Sequence, residues 1–231
     1  MNNAFQVPTL FEYTAILLWA LSGAIVGWRK GFDVIGVFVI AFMSAFGGGL
    51  LRDGLFLQRL PAVLTNSAFI PLVLLAVAVV VVLGRRVHRD RMLPKIVSVI
   101  DALGVPMYVV LGAELALSRG LPTPAVIFIA TISGVGGGLL RDLVAGDTPE
   151  LLRPGQYNTL LVVAAGALYL LMRRYSALPE IQMAWITILI FFAARLLTIR
   201  YNWRTRPLQD FEMRQMVENM TGWLPGVKRD K

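Results

Sequence analysis

Arg52-Asp53 and Arg141-Asp142 stand inside otherwise apolar stretches, and each pair follows the same five residues, Gly-Gly-Gly-Leu-Leu. An ionisable side chain at membrane depth is costly, and it ordinarily faces a bundle interior or a water-filled cavity with a partner of opposite sign. Cations and anions so placed suit the passage of an ion or small solute rather than bond-making chemistry. Glycine runs add backbone freedom without side-chain bulk and weaken a helix. A break at Gly47, Gly48 and Gly49, with a second at Gly136, Gly137 and Gly138, would release backbone groups that must line a wet path, since lipid cannot satisfy them. The competing reading is that these glycines let two helices approach closely. The charged pair after each triplet favours the first reading, because glycines that only pack need no ions beside them.

The elements that carry these residues are membrane helices. The chain is 57% hydrophobic and 16% charged, with a mean hydropathy of +0.68, well outside the usage of soluble domains. It has no cysteine, and its single histidine, His88, lies in a charged loop. Zinc or redox-thiol chemistry, a cofactor, a tightly held metal and an enzymatic activity are therefore not expected. The net charge of +8 comes from basic residues clustered between apolar segments, at Arg85, Arg86, Arg89, Arg91 and Lys95, and in the tail. That placement suits lipid headgroups rather than nucleic acid.

A bilayer core takes roughly 20 apolar residues per helix. Apolar segments fall at 10–28, 34–51, 68–83, 96–117, 125–140, 157–172 and 181–199, separated by turn and breaker residues such as Gly31, Pro61, Gly120 and Pro179. Residues 1–14 hold no Lys or Arg, so the first segment reads as a retained span rather than a cleaved signal. Basic residues on alternate sides place the amino terminus outside and the carboxyl terminus in the cytoplasm.

A self-comparison at an offset of 89 residues, from Gly47 to Gly136, needs no gaps. It pairs Glu12 with Asp101, Gly23 with Gly112, Lys30-Gly31 with Arg119-Gly120, Ser44 with Ser133, and Val73 with Val162. Each copy has an odd number of spans, so the copies must insert in opposite senses. The expected fold is all-α: a polytopic membrane protein of seven transmembrane helices, an inverted three-plus-three repeat with one C-terminal helix. Its parts are 1–92, 93–176, 177–200 and a cytoplasmic tail, 201–231.

Around the two motifs, Ser44 and Ser133 precede each triplet by about one turn and are placed to show a hydroxyl to the same path, as is Thr131; bonding to their own helix backbone is the alternative. Arg52 is expected to reach Asp142 or carbonyls of the other repeat, and Arg141 to do the reciprocal. A structural clasp between the repeats is the competing role for these ions. Glu114 has Ile25 as its repeat counterpart and is a secondary functional candidate, or a salt-bridge partner. Arg195 is expected to extend to the headgroups. Asp33, Asp101, Asp147 and Glu150 are read as helix caps.

The doubled Gly-Gly-Gly-x-x-Arg-Asp motif, the three-plus-three repeat and the seventh helix together resemble the prokaryotic trimeric intracellular cation (TRIC) channels. Phe32-Asp33-Val34-Ile35-Gly36-Val37, Asp101-Ala102-Leu103-Gly104, Gly112-Ala113-Glu114 and Gly146-Asp147-Thr148-Pro149 are similar to stretches of bacterial members. The resemblance implies a homotrimer in a prokaryotic inner membrane with one pore per subunit. Kinks at the glycines of the second and fifth helices would gate it, and it would conduct potassium and other monovalent cations. Two buried arginines by themselves lean toward anions, so the sign of selectivity comes from the resemblance. Bacterial relatives are also described as glycine transporters, and a carrier of a small amino acid is the alternative. Many relatives have Lys after Gly-Ala-Glu; this chain has Leu115, so phosphoinositide regulation is not carried over.

Overall fold

The computed structural model describes residues 9–87, 93–152 and 158–201, and all the regular structure among them is helical. In chain order the helices are α1 (Thr9–Arg29), α2 (Val34–Leu50), α3 (Ala62–Thr65), α4 (Phe69–Val87), α5 (Leu93–Ser118), α6 (Thr123–Val144), α7 (Asn158–Tyr175) and α8 (Glu180–Arg200). Among the described residues, seven are long and α3 is a single turn. The expected tail at 201–231 lies outside the described residues except for Tyr201, as do Arg89 and Arg91 of the basic run before α5.

Helix ends are set by local chemistry. Asp33 precedes α2 and its Oδ1 accepts a hydrogen bond from Gly36 N at 2.7 Å, relieving one of the unpaired amides of the first turn. Asp33→Ala should therefore lower stability by about 1 kcal/mol, and Asp33→Asn should restore most of it; thermal unfolding of the detergent-solubilised protein reads both. At the far end of α1, Gly31 has φ +75°, and Phe32 N bonds back to Gly27 O at 3.3 Å. At the end of α5, Gly120 has φ +68° and Leu121 N bonds Ala116 O at 3.3 Å. The left-handed conformation that glycine tolerates thus closes the same helix in each repeat.

The core lies where α1, α2, α5 and α6 meet, with α4 against α1 and α2, α7 against α5 and α6, and α8 against α5 and α7. The inner residues are small or branched, including Ala20, Ala24, Val37, Ala41, Val109, Ala113, Val126 and Ala130. Small residues let helices pack closely where lipid removes the hydrophobic drive between them. Ile35, Leu74, Val82, Leu160 and Leu189 point outward and are exposed, as a lipid-facing shell requires. Among the described residues four helices are long and apolar enough to cross a bilayer, Val34–Phe56, Lys95–Ser118, Thr123–Val144 and Glu180–Arg200, and Phe69–Gly84 forms a shorter apolar helix.

The helix breaks expected at the glycines do not occur. α2 stays helical to Leu50 and α6 runs unbroken from Thr123 to Val144, so both triplets lie within continuous helix. The departure from α geometry comes after the first triplet, where Leu51–Phe56 widens into a π-turn and Leu57 N bonds Arg52 O at 2.8 Å. Close packing explains the difference: the neighbouring helix occupies the space beside the glycines and holds them in helical register.

Two charged cavities across a glycine crossing

The close-approach reading of the glycines holds for the first two of each triplet. A Cβ on Gly48 would lie 2.2 Å from Ser133 O, and one on Gly137 would lie 2.3 Å from Ser44 O. A Cβ on Gly136 would lie 2.8 Å from Gly48 Cα, and one on Gly47 3.1 Å from Gly136 O. Gly48 opposes Ser133 while Ser44 opposes Gly137, so α2 and α6 run antiparallel through the crossing. The third glycines differ. A Cβ on Gly49 would meet nothing nearer than Arg52 Nη2 at 3.7 Å, and one on Gly138 nothing nearer than Trp19 at 3.6 Å.

Gly49 and Gly138 each open on a cavity. The first is lined by Glu12, Ile16, Phe46, Gly49, Arg52 and Tyr108, with Leu111 and residues around α3. The second is lined by Asp101, Val105, Val135, Gly138, Arg141 and Trp19, with Asp142 and Glu150. These are the same positions at the 89-residue offset, and each takes an aromatic from the opposite repeat: Tyr108 in the first, Trp19 in the second. Tyr108 donates to Ala45 O at 2.8 Å, and the Arg141 guanidinium lies 5.9 Å from the Trp19 ring centre.

The expectation that each arginine reaches across to the other repeat is not met. Arg52 forms a two-pronged pair with its own neighbour Asp53, Nε to Oδ1 at 2.7 Å and Nη2 to Oδ2 at 2.9 Å. Asp53 is fully buried, and Arg59 Nε lies 3.4 Å from it. Arg141 Nε pairs with Asp142 at 2.9 Å, and its Nη1 reaches Asp101 Oδ2 at 2.9 Å and Ser22 Oγ at 2.6 Å. Ser22 Oγ donates to Asp101 Oδ1 at 2.7 Å. The antiparallel crossing is the reason: the residues after one triplet lie beyond the crossing from those after the other, so the two pairs sit at opposite ends. Arg141 clasps α1 and α5 rather than the partner motif, while Arg52 and Asp53 pair with each other beside Arg59.

Asp101 is therefore no cap. It lies within α5, buried, and holds Arg141. Glu12 lines the first cavity and Ser22 bonds Asp101 and Arg141 of the second, though neither stands in the repeated motif. The signal available was the alignment of two acids, Glu12 and Asp101, at one repeat position in otherwise apolar helices.

The remaining candidates are dispersed. Ser133 Oγ bonds Ile129 O at 2.8 Å and Thr131 Oγ1 bonds Ile127 O at 2.8 Å, both within their own helix. Ser44 Oγ is buried without a partner among the described residues. None of the three lines either cavity; Ser44 and Ser133 instead shape the crossing, and Ser133 also abuts Gly112 as Ser44 abuts Gly23. Glu114 accepts from Tyr169 Oη at 2.6 Å and lies 3.3 Å from Arg173 Nε, which also reaches Glu180. This network ties α5 to α7 and α8, and the equivalent places in the first repeat are Ile25, Val80 and Gly84. Arg195 does not extend to the headgroups: it is 2% exposed and pairs with Glu150. Asp147 pairs with Lys30 at 2.7 Å, joining the ends of α1 and α6.

An all-helical bundle with lipid-type outer faces, a small-residue crossing and equivalent charged cavities defines a multi-pass membrane protein with a repeated half. The family model described as "Glycine transporter" matches residues 9–86 and again 98–174, so the chain belongs to that family, the TRIC family of membrane proteins. A UPF0126 membrane protein of Deinococcus radiodurans is 36% identical over 69% of this chain and 74% of its own length. The UPF0126 inner membrane protein YadS of Escherichia coli is 29% identical over 63% and 70%. A structure concerning conductance through TRIC cation channels superposes with a TM-score of 0.75 at 26% identity, covering 98% of this chain and all of the other. A prokaryotic TRIC channel crystallised in 0.5 M KCl gives 0.76 at 28% identity, over 84% and 95%. The orthologue from Rhodobacter sphaeroides, at 22% identity and a TM-score of 0.75, shows the same fold.

Proposed function

We propose that the protein is a monovalent cation channel of TRIC type, permeable to potassium, working as a homotrimer with one path per subunit in a prokaryotic inner membrane. In this reading α1, α2 and α4 form one half, α5, α6 and α7 the inverted other half, and α8 a seventh span. The amino terminus is outside and the carboxyl terminus cytoplasmic. The antiparallel α2–α6 crossing and the doubled family match support the inversion, and the Lys30–Asp147 pair supports placing the ends of α1 and α6 on one side.

One observation carries the functional reading: two equivalent charged cavities lie at opposite ends of the glycine crossing. A path through them enters beside Arg52, passes the crossing and leaves beside Arg141, and the crossing is the gate. Here the backbones touch there, so conduction requires α2 and α6 to part. The arginines do not impose anion preference, because each is neutralised by a carboxylate beside it, and the second cavity holds Asp101, Asp142 and Glu150 as well.

The second reading is a carrier of a small amino acid such as glycine. Its support is the family description and the first cavity, which holds both a cation and an acid. Helix amino termini freed at the glycines do not enter it, since those helices are unbroken. Purified protein in planar bilayers separates the two. Unitary currents whose reversal potential follows the potassium gradient are expected; saturable glycine exchange without unitary events would replace the channel by the carrier.

A further inference from the structure

The turns that close the two cavities match in position but not in chemistry. At the 89-residue offset Pro61, Ala62 and Phe69 of the first correspond to Glu150, Leu151 and Asn158 of the second, and all six line their cavity. The first closure is therefore apolar, whereas the second carries a carboxylate and an amide. Glu150 is fixed there from two sides. Its main-chain N donates to Asp142 Oδ2 at 3.0 Å, and its carboxylate accepts from Arg195, a buried residue of α8, which lies outside both matched repeats. The Glu150 side chain nevertheless stays 41% exposed, so ions at that opening feel its charge.

The surrounding charge is unequal as well. Among the described residues, Asp101, Asp142 and Glu150 at the second cavity are met by Arg141 and Arg195, which leaves one acid in excess. At the first, Glu12 and Asp53 are matched by Arg52 and Arg59. The unpaired polar atoms of the linings have the same sense: a donor, Arg52 Nη1, in the first cavity, and an acceptor, Asn158 Oδ1, in the second, both without a partner among the described residues. Arg195 Nη1 has no partner there either, but Arg195 does not line the cavity.

We infer that Glu150 makes the second mouth the cation-collecting end of the path and so gives the conductance a direction. At equal driving force, cations that enter past Glu150 carry more current than cations that enter past Pro61. The inference rests on the channel reading, with one path through both cavities; in the orientation proposed above, the richer mouth is cytoplasmic. A fixed charge at a mouth raises the local concentration of counter-ions, and salt screens it over a Debye length of about 10 Å at about 0.1 M. One unit charge about 7 Å from the ion's path, in water and unscreened, changes the local cation concentration about threefold.

Single channels of the full-length protein in planar bilayers of zwitterionic lipid test this, in symmetric KCl at low and high ionic strength. At roughly 0.05 M the unitary current should be about two- to threefold larger in one direction, and at about 1 M it should be equal in both. Glu150→Gln should lose the low-salt rectification, and Glu150→Asp should keep it. Pro61→Glu places an acid at the equivalent position of the first mouth, so it should also make the low-salt current symmetrical, and it decides the matter if Glu150→Gln does not fold. Symmetrical low-salt currents in the wild type, or rectification that either variant leaves unchanged, would overturn the inference while leaving the channel reading intact. Absence of unitary currents altogether would remove the channel reading and the inference with it.

Discussion

Gly48→Ala is expected to cost about 3 kcal/mol or more, and Gly137→Ala a similar amount. In each case the new methyl group would overlap a main-chain carbonyl, Ser133 O at 2.2 Å or Ser44 O at 2.3 Å. A flexible side chain turns away at little cost, but a carbonyl inside a helix cannot move without the helix. α2 and α6 must separate, and that loosens the line of small residues from Gly23 and Ser44 through Gly48 and Gly137 to Ser133 and Gly112. Once the helices have parted for one methyl group the second meets less resistance, so the double variant should cost less than the sum of the two. Gly49→Ala is the internal control. Nothing lies nearer than 3.7 Å, and alanine favours a helix over glycine, so it should be neutral or stabilising by up to about 1 kcal/mol. Denaturation midpoints in detergent read all four proteins. A Gly48→Ala protein with the wild-type midpoint would show that the crossing is not tightly packed.

That contrast within one triplet shows what the sequence carried and what it withheld. The membrane class, the long helices and the repeat were legible, because hydropathy and a gapless offset are properties of the chain itself. Asp33 as a cap was legible for the same reason: its partner is three residues away. The role of the glycines was not. Glycine permits both a broken helix and a close crossing, and only the presence of α6 at Gly48 decides between them. The passage inferred from released backbone groups therefore loses that basis, and the transport reading rests on the cavities and the family instead. The ion pairing was misread for a related reason. The equivalent helices α2 and α6 do meet, but in antiparallel sense, so residues past the crossing lie apart. The acids that do face the arginines, Glu12 and Asp101, come from other helices, and repeat alignment was the one signal that joined them. Arg195 next to Glu150 depends on α8 packing beside the turn after α6, which no local pattern announces.

Asp101→Ala and Glu12→Ala alter the same position of the two repeats, yet their costs should differ several-fold. Asp101 is buried and takes both Arg141 Nη1 and Ser22 Oγ, so its removal strands the Ser22 hydroxyl and leaves Asp142 as the one carboxylate paired with Arg141. Breaking a buried pair in this way costs about 3 kcal/mol, because a buried donor loses its acceptor and Arg141 loses one of its two compensating charges. Glu12 is half-buried and makes no bond among the described residues, so its loss should cost about 1 kcal/mol or less. Replacing the cluster as a whole, Ser22→Ala with Asp101→Leu, Arg141→Met and Asp142→Asn, should recover part of the loss, since no buried charge of the cluster is then left unpaired. The amide introduced at position 142 can still accept from Glu150 N, which lies 3.0 Å from Asp142 Oδ2. Unfolding midpoints compared across the single and combined variants test this. Equal losses for Asp101→Ala and Glu12→Ala would mean that the bonds Asp101 makes to Arg141 and Ser22 add nothing to stability.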